Sequence, residues 1–454
     1  MKGRCFTSDP QEQCYHIESQ VTFTDRADGG ERTINVFPHH QFQRVEGFGG
    51  SFTEAAGVVY NTMPEAVREE LLEDYFSAQG NCYNLARLPI QSCDFSLGNY
   101  AYAGSAEDIK YGRLNFARDR QNLIPFIRDA LAVNANLVLM ASPWSPPAFM
   151  KTSANMNGGG QLRLDAYPLW AEMIVQFLLE YRRQGINIHR LSVQNEPVAV
   201  KPWESCLYSA EQETDFAVNH LRPLLERHGL GDTELYIWDH DKDGLVDWAE
   251  RAFANEASRR EIDGLAFHWY TGDHFAQIQH LARHYPEKKL LFTEGCVPME
   301  EGAGGQTRHF DTYLHDMIGN FKAGCMGFID WNLLLDGSGG PNHPGNLCEA
   351  PIQFDLDRGQ LRRNSSYYGI AHFSRYVRPD ARVMLSSSYD ATLEEVGFVH
   401  PDGERVLVVY NRSGEIRQCR IVDGARETML TLNAGSVCTL VWPTREETDY
   451  ETWL

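Results

Sequence analysis

A chain of 454 residues is too long for one small domain and long enough for a closed α/β barrel with an attachment. Hydrophobic residues at 43% against 23% charged fit an ordinary soluble globular protein, and no apolar run approaches the roughly 18 residues of a membrane helix. A formal net charge of −21 argues against nucleic acid and against an anionic membrane surface as partners, which leaves a neutral substrate as the better fit.

The N-terminal segment Met1-Lys2-Gly3-Arg4-Cys5 onward lacks the apolar stretch of a signal peptide, so a cytoplasmic location is expected. Ten cysteines show no C-x-x-C and no zinc spacing, and are read as small buried residues. Cys5 and Cys14 are the pair to bridge if the protein were secreted. The sequons at Asn364 and Asn411 carry no meaning in a cytoplasmic chain.

Up to residue 44 the chain reads as short strands. Residues 19–24 and 32–36 alternate on either side of the turn Asp28-Gly29-Gly30, which predicts a hairpin. From Val45 the pattern becomes strand, loop and amphipathic helix, repeated. Strands are predicted near 45–52, 84–90, 136–142, 188–195, 234–239, 264–270, 289–294 and 326–332, with helices over 64–78, 121–133, 167–183 and 210–228 between them. Eight such units predict a (β/α)₈ TIM barrel in an α/β chain. After a helical segment at 367–376 the chain turns all-β, with strands at 395–399, 405–411 and 437–442. Two N-terminal strands are marginal alone, so they are expected to join this set in one β-sandwich built from both chain ends. The alternative is two unrelated β patches. The expected domains are residues 1–44 (sandwich strands), 45–377 (catalytic barrel) and 378–454 (the rest of the sandwich).

Two strand ends carry the chemistry. Ile188, Leu191 and Val193 run into Asn195-Glu196-Pro197, and about a hundred residues later an apolar run from Lys289 stops at Glu294. Two carboxylates at the mouths of two barrel strands are the parts glycoside hydrolysis uses. Glu196 reads as general acid/base and Glu294 as nucleophile, with burial and the neighbouring charge expected to raise the pKa of Glu196. Asp94, Trp144, Asn195, His268, Tyr270, Trp331 and Asn332 stand at other strand ends. Together they describe a sugar site, with aromatic faces for the ring and amides or acids for its hydroxyls. Arg87, in a buried strand, is the expected partner of a carboxylate such as Glu294. Asp239 is a further strand-end polar group. The glycine runs at 47–50 and 337–340 lack nucleotide-loop spacing and are read as tight turns beside the cleft. His39, His40, His240 and His343 lie at no ligand spacing and are read as structural, with no metal and no cofactor required.

With these residues in place, the chain resembles glycoside hydrolase family 30, in the acid β-glucosidase (glucosylceramidase) branch. The motifs are Gly47-Phe48-Gly49-Gly50, Ser92-Cys93-Asp94-Phe95-Ser96, Ala141-Ser142-Pro143-Trp144, Asn195-Glu196-Pro197, His268-Trp269-Tyr270, Glu294-Gly295-Cys296, and Asp330-Trp331-Asn332 followed by Gly339-Gly340-Pro341-Asn342. The resemblance implies a retaining β-glycosidase acting on a small β-glucoside or oligosaccharide, with Glu196 as acid/base and Glu294 as nucleophile. It also implies that Asp94, Trp144, Asn195 and Trp331 line the sugar subsite. Segments 198–208 and 296–306, on the leaving-group side, depart from the family pattern. The family also holds β-xylosidases and β-1,6-glucanases. A non-catalytic carbohydrate-binding protein would require a lost carboxylate, and both are present.

Overall fold

The structure, a computed structural model, describes residues 1–27, 32–300 and 302–444, so the Asp28-Gly29-Gly30 turn and residue 301 of the 296–306 segment lie outside the described residues. It divides into two compact units. One comprises residues 48–299 and 327–363, the other residues 1–47, 300–326 and 364–454. Among the described residues no helix is long and apolar enough to cross a membrane.

Eight strands close the barrel of the first unit: β1 (Gly47–Ser51), β2 (Leu85–Ile90), β3 (Val138–Pro143), β4 (Ile188–Ser192), β5 (Glu234–Asp241), β6 (Gly264–His268), β7 (Lys289–Glu294) and β8 (Gly327–Asn332). Their order round the barrel is the order of the sequence, and neighbours pair in parallel, as in Leu85↔Val138 and Leu265↔Leu290. Strands covered on both faces read as continuous apolar runs rather than alternating ones. This is why β2 is buried at every position and why the eight runs stand out in the sequence. The glycines of β1 are strand residues, not turns. A Cβ at Gly49 would overlap the backbone carbonyl of Leu85, so close approach of β1 to β2 demands glycine there.

Helices follow the strands where the 3.6-residue period predicts them, including Glu65–Phe76, Leu123–Val133 and Tyr167–Arg183. The predicted 210–228 helix is broken into three parts. A capping box of Ser209 and Gln212 starts Ala210–Asp215, a π-helical turn covers Phe216–Leu221, and Arg222–Arg227 completes it, with Pro223 supplying no N–H to an α-helical ladder.

The second unit is built on a ten-stranded sheet. Its order is Cys14–Thr22, Lys2–Asp9, Val437–Trp442, Arg405–Asn411, Leu393–Val399, Arg382–Ser388, Thr33–Arg44, Arg417–Asp423, Arg426–Leu432 and Thr24–Asp25. Strands from both ends of the chain therefore share one sheet. Cys5 and Phe23 meet Leu430 and Leu432 in a single core with Val409, Leu440 and Trp442, so the sheet curls over on itself. The expected hairpin between 19–24 and 32–36 is not formed. Cys14–Thr22 pairs with Lys2–Asp9, while Thr33–Arg44 runs antiparallel to Arg382–Ser388 and parallel to Arg417–Asp423. Both segments alternate apolar and polar residues, and alternation specifies a face, not a partner. Cys5 and Cys14 are both free thiols, the first buried and the second exposed.

A buried polar cluster lies in this unit. His16 contacts Tyr376 Oη at 3.2 Å and the Tyr368 carbonyl at 3.1 Å and stacks on His372 at 4.4 Å, and His372 in turn bonds Ser8 and Thr439 at 2.7 and 2.8 Å. Burial pushes the His16 imidazole down to about 4 and that of His372 well below its usual range.

Candidate active site

In the middle of β2, Arg87 is fully buried. Its Nε donates to Ser142 Oγ at 3.0 Å, Nη1 to Glu294 at 2.6 Å, and Nη2 to Asn195 Oδ1 at 2.7 Å and Asp239 at 2.8 Å. One guanidinium thus ties β2 to β3, β5 and β7 and to the loop after β4. The rings of Trp144 and Trp331 stack on each other at 5.1 Å, and Arg87 lies 4.7 and 5.5 Å from them. A rigid planar fork with five donors suits this place, because it satisfies two buried carboxylates at once.

Glu294 is the last residue of β7 and is 7% exposed. Besides Arg87 it accepts from Tyr270 Oη at 3.1 Å. Glu196 lies four residues beyond β4, also 7% exposed. Its backbone is held in the left-handed region at φ +49°, with Glu196 N bonded to the Asp239 carbonyl and Asn195 N to that of Pro143. Gln91, Trp238 and Asp239 at neighbouring strand ends also have positive φ. Strained non-glycine backbone gathered at one end of a barrel is a mark of a functional site.

A cavity of about 380 Å³ opens at this end, lined by Glu196, Glu294, Asp94, Trp144, Asn195, Tyr270 and Trp331 from the sequence reading. Arg87 and His268 stand behind that lining. Asn332 is not brought to the cavity, its side-chain oxygen being taken by Thr53 Oγ1 at 2.9 Å. Cys296, two residues beyond Glu294, also lines it, together with residues the sequence reading passed over: Lys201, Trp203, Asn346, Leu347 and Cys348. Cys296 Sγ lies 3.1 Å from Cys348 Sγ and 3.5 Å from Tyr270 Oη.

The electrostatics of the acids differ. Burial, reinforced by Glu294 and Glu196, pushes the Asp94 carboxyl well up, so it is held as a neutral acid able to donate a hydrogen bond. Burial opposes charge on Asp239 too, but Arg87 and His268 beside it outweigh that and hold it as a carboxylate. For Glu196 the expected upward shift is reversed. Burial does work against its charge, yet His240 Nδ1 at 3.5 Å and His268 Nδ1 at 3.9 Å from Oε1 hold its carboxyl well below the usual range. Lys201 Nζ stands 3.4 Å from Oε2. His240 is therefore a site residue rather than a satisfied structural one. His268 bonds Asp239 at 3.1 Å, and despite burial its imidazolium is pushed up to about 10 by Glu294 and Asp239. Glu196, His240 and His268 form a His₂Glu group whose donor atoms fall within 4.8 Å of one another.

An eight-stranded parallel barrel with two buried carboxylates and stacked tryptophans at the C-terminal strand ends has the make-up of a glycoside hydrolase. The glycosyl hydrolase family 30 TIM-barrel profile matches residues 45–377, and the family 30 β-sandwich profile matches residues 381–440. The chain belongs to glycosyl hydrolase family 30, and it is an enzyme of the glycoside hydrolase class. It is 31% identical to the lysosomal acid glucosylceramidase of Mus musculus over 429 residues, covering 90% of this chain and 83% of the relative. The crystal structure of SrfJ from Salmonella typhimurium is similar at TM-score 0.97 and 64% identity, covering 98% of this chain and 100% of that one. An endo-β1,6-glucanase structure matches at TM-score 0.89 and 25% identity, covering 98% of this chain and 100% of that one.

Proposed function

We propose that the chain is a retaining β-glycosidase that removes a terminal β-glucosyl unit, with Glu294 as nucleophile and Glu196 as acid/base. The observation that carries the reading is the single cavity of about 380 Å³ that both carboxylates line. That size falls near the lower end of the roughly 300 to 1,000 Å³ typical of ligand sites, which suits one sugar and the start of its leaving group better than a long polysaccharide. Arg87 and Tyr270 aim the Glu294 carboxylate at the anomeric carbon. Glu294 displaces the leaving group to form a covalent glycosyl-enzyme, and Glu196 supplies the proton the leaving oxygen needs. Glu196 then takes a proton from the water that releases the sugar. Trp144 and Trp331 give the ring an apolar wall, while neutral Asp94 and Asn195 meet its hydroxyls. The second reading is a β-1,6-glucanase, favoured by the likeness to the endo-β1,6-glucanase structure. The family resemblance also leaves a β-xylosidase open, since a xyloside lacks only the C6 hydroxymethyl.

Initial rates on an aryl β-glucoside, an aryl β-xyloside and a β-1,6-linked glucan, for the wild type and Glu294→Gln, test this. The expected outcome is preference for the glucoside, release of the β-anomer by NMR, and loss of orders of magnitude in the variant. A preference for glucan or xyloside would replace the substrate. Wild-type rates in Glu294→Gln would sink the nucleophile assignment.

A further inference from the structure

The reading above asks Glu196 to hand a proton to the leaving group, yet nitrogen surrounds it on three sides. His240 near the end of β5, His268 at the end of β6 and Lys201 in the loop after β4 all face its carboxylate, at 3.5, 3.9 and 3.4 Å. The acids Asp94 and Glu294 lie within reach across the cavity, and Asp239 stands behind His268. In the resting site Glu196 is therefore the carboxylate of an ion pair, and the proton it must donate sits elsewhere.

We propose that His240 is the positioning residue that stores this proton and exchanges it with Glu196 in each half of the reaction. His240 Nδ1 stands 3.5 Å from Glu196 Oε1 and, among the described residues, meets the geometry of a hydrogen bond to no group. His240 keeps 14% of its side chain exposed, with Nδ1 itself buried against Glu196. His268 is ill suited to the task. It is sealed from solvent, its other nitrogen is engaged by Asp239, and an imidazolium held up to about 10 gives its proton up reluctantly. When the sugar and leaving group displace water, the ion pair loses its solvation. The neutral pair then becomes the favoured form, because a low dielectric penalises separated charge. The Nδ1–H bond breaks as the Glu196 Oε1–H bond forms. That O–H bond then breaks as its proton passes to the glycosidic oxygen, which keeps the electron pair of the cleaved C–O bond while Glu294 forms the new one. In the second half, water attacks the anomeric carbon, the C–O bond to Glu294 breaks with its electron pair returning to the Glu294 carboxylate, Glu196 takes the water's proton, and that proton returns to His240. The 3.5 Å contact belongs to the unliganded site, where hydrogen bonds of this kind are commonly long and tighten once substrate is bound.

The inference rests on Glu196 being the acid/base, and the experiment separates the two. His240→Asn and His240→Phe are compared with Glu196→Gln on an alkyl β-glucoside, whose leaving group needs a proton, and on 2,4-dinitrophenyl β-glucoside, whose leaving group does not. For both His240 variants the expected loss in kcat/KM on the alkyl glucoside is about 10- to 100-fold, within the range of general acid catalysis, with the dinitrophenyl glucoside changed by less than about threefold. The basic limb of the kcat/KM profile is expected to move to lower pH, because a carboxyl alone sheds its proton before an imidazole–carboxyl pair does. If His240 merely lowered the Glu196 pKa by its charge, the limb would move to higher pH. If it were merely structural, both substrates would fall together and the limb would stay. Either result overturns the inference while leaving the acid/base assignment intact. A Glu196→Gln enzyme that gains no selectivity for the activated glucoside, losing both substrates equally or neither, overturns both.

Discussion

Replacing Arg87 by methionine keeps most of the side-chain volume and removes the charge. In the native protein Arg87 makes four hydrogen bonds in a fully buried place, two of them to the carboxylates of Asp239 and Glu294. Glu294 would be left with the single bond from Tyr270, and Asp239 with His268 and Thr293 at 3.1 and 2.7 Å. Two buried carboxylates would then face each other without the cation between them. Breaking a buried pair by deleting one partner costs about 3–5 kcal/mol, and the two indole contacts add to the upper part of that range. The activity effect follows from the same geometry, since a nucleophile displaced by about 1 Å loses roughly 100-fold. Urea denaturation followed by circular dichroism would read the stability, and kcat/KM on an aryl β-glucoside the activity. Arg87→Lys should recover only part of either, because a point charge cannot fork to Glu294, Asn195 and Asp239 together. An Arg87→Met protein within about 1 kcal/mol of wild type, with kcat/KM within a few-fold, would refute the view that this guanidinium holds the site together.

His16 and His372 are neutral in the folded sandwich, with pKa values depressed below that of an unfolded histidine. Protonation therefore favours the unfolded state, and stability falls as pH drops from about 6.5 towards 4, by roughly 2–3 kcal/mol for His16 alone. Thermal melts of wild type and His16→Gln across that interval should converge at acid pH, and parallel curves would contradict the assignment. Alkylation of Cys296 by N-ethylmaleimide should abolish activity, since the thiol lines the cavity beside Tyr270. The reaction should be slow at neutral pH and quicken in alkali, because its hydrogen bond to Cys348 and burial push this thiol well up. Undiminished activity after full modification, verified by mass spectrometry, would remove Cys296 from the site.

The barrel was readable because parallel strands covered on both faces must be apolar throughout, and helices alone separate them. Glu196 and Glu294 were readable for a related reason: a carboxylate that ends such a run has nowhere to point but the cavity. Pairing in the sandwich was not, because alternation in residues 19–24 and 32–36 sorts side chains to two faces and says nothing about the neighbour. Lys2–Asp9 was overlooked as a strand because its first residues read as a terminus. The ring of nitrogen about Glu196 was missed for want of any linear spacing. His240 follows Asp239 directly, and two polar side chains after the apolar Leu235-Tyr236-Ile237 were the available signal. Lys201, Trp203 and Asn346 come from loops and Cys348 from a two-residue strand, whose convergence depends on the closed barrel.

The strand Val437–Trp442 lies between Lys2–Asp9 and Arg405–Asn411, so a strand made late is a central one. On a ribosome, Lys2–Asp9 and Cys14–Thr22 emerge more than 400 residues before it and wait while that stretch is produced, a delay on the order of tens of seconds. All eight barrel strands are available once residue 332 has been added, well before the sheet can be completed. Throughout the delay Lys2–Asp9 offers an unpaired backbone edge to whatever is nearby. Order of synthesis and order of pairing are thus out of step here, and the seam between Lys2–Asp9 and Val437–Trp442 is the step at which newly made chains are most exposed to mispairing.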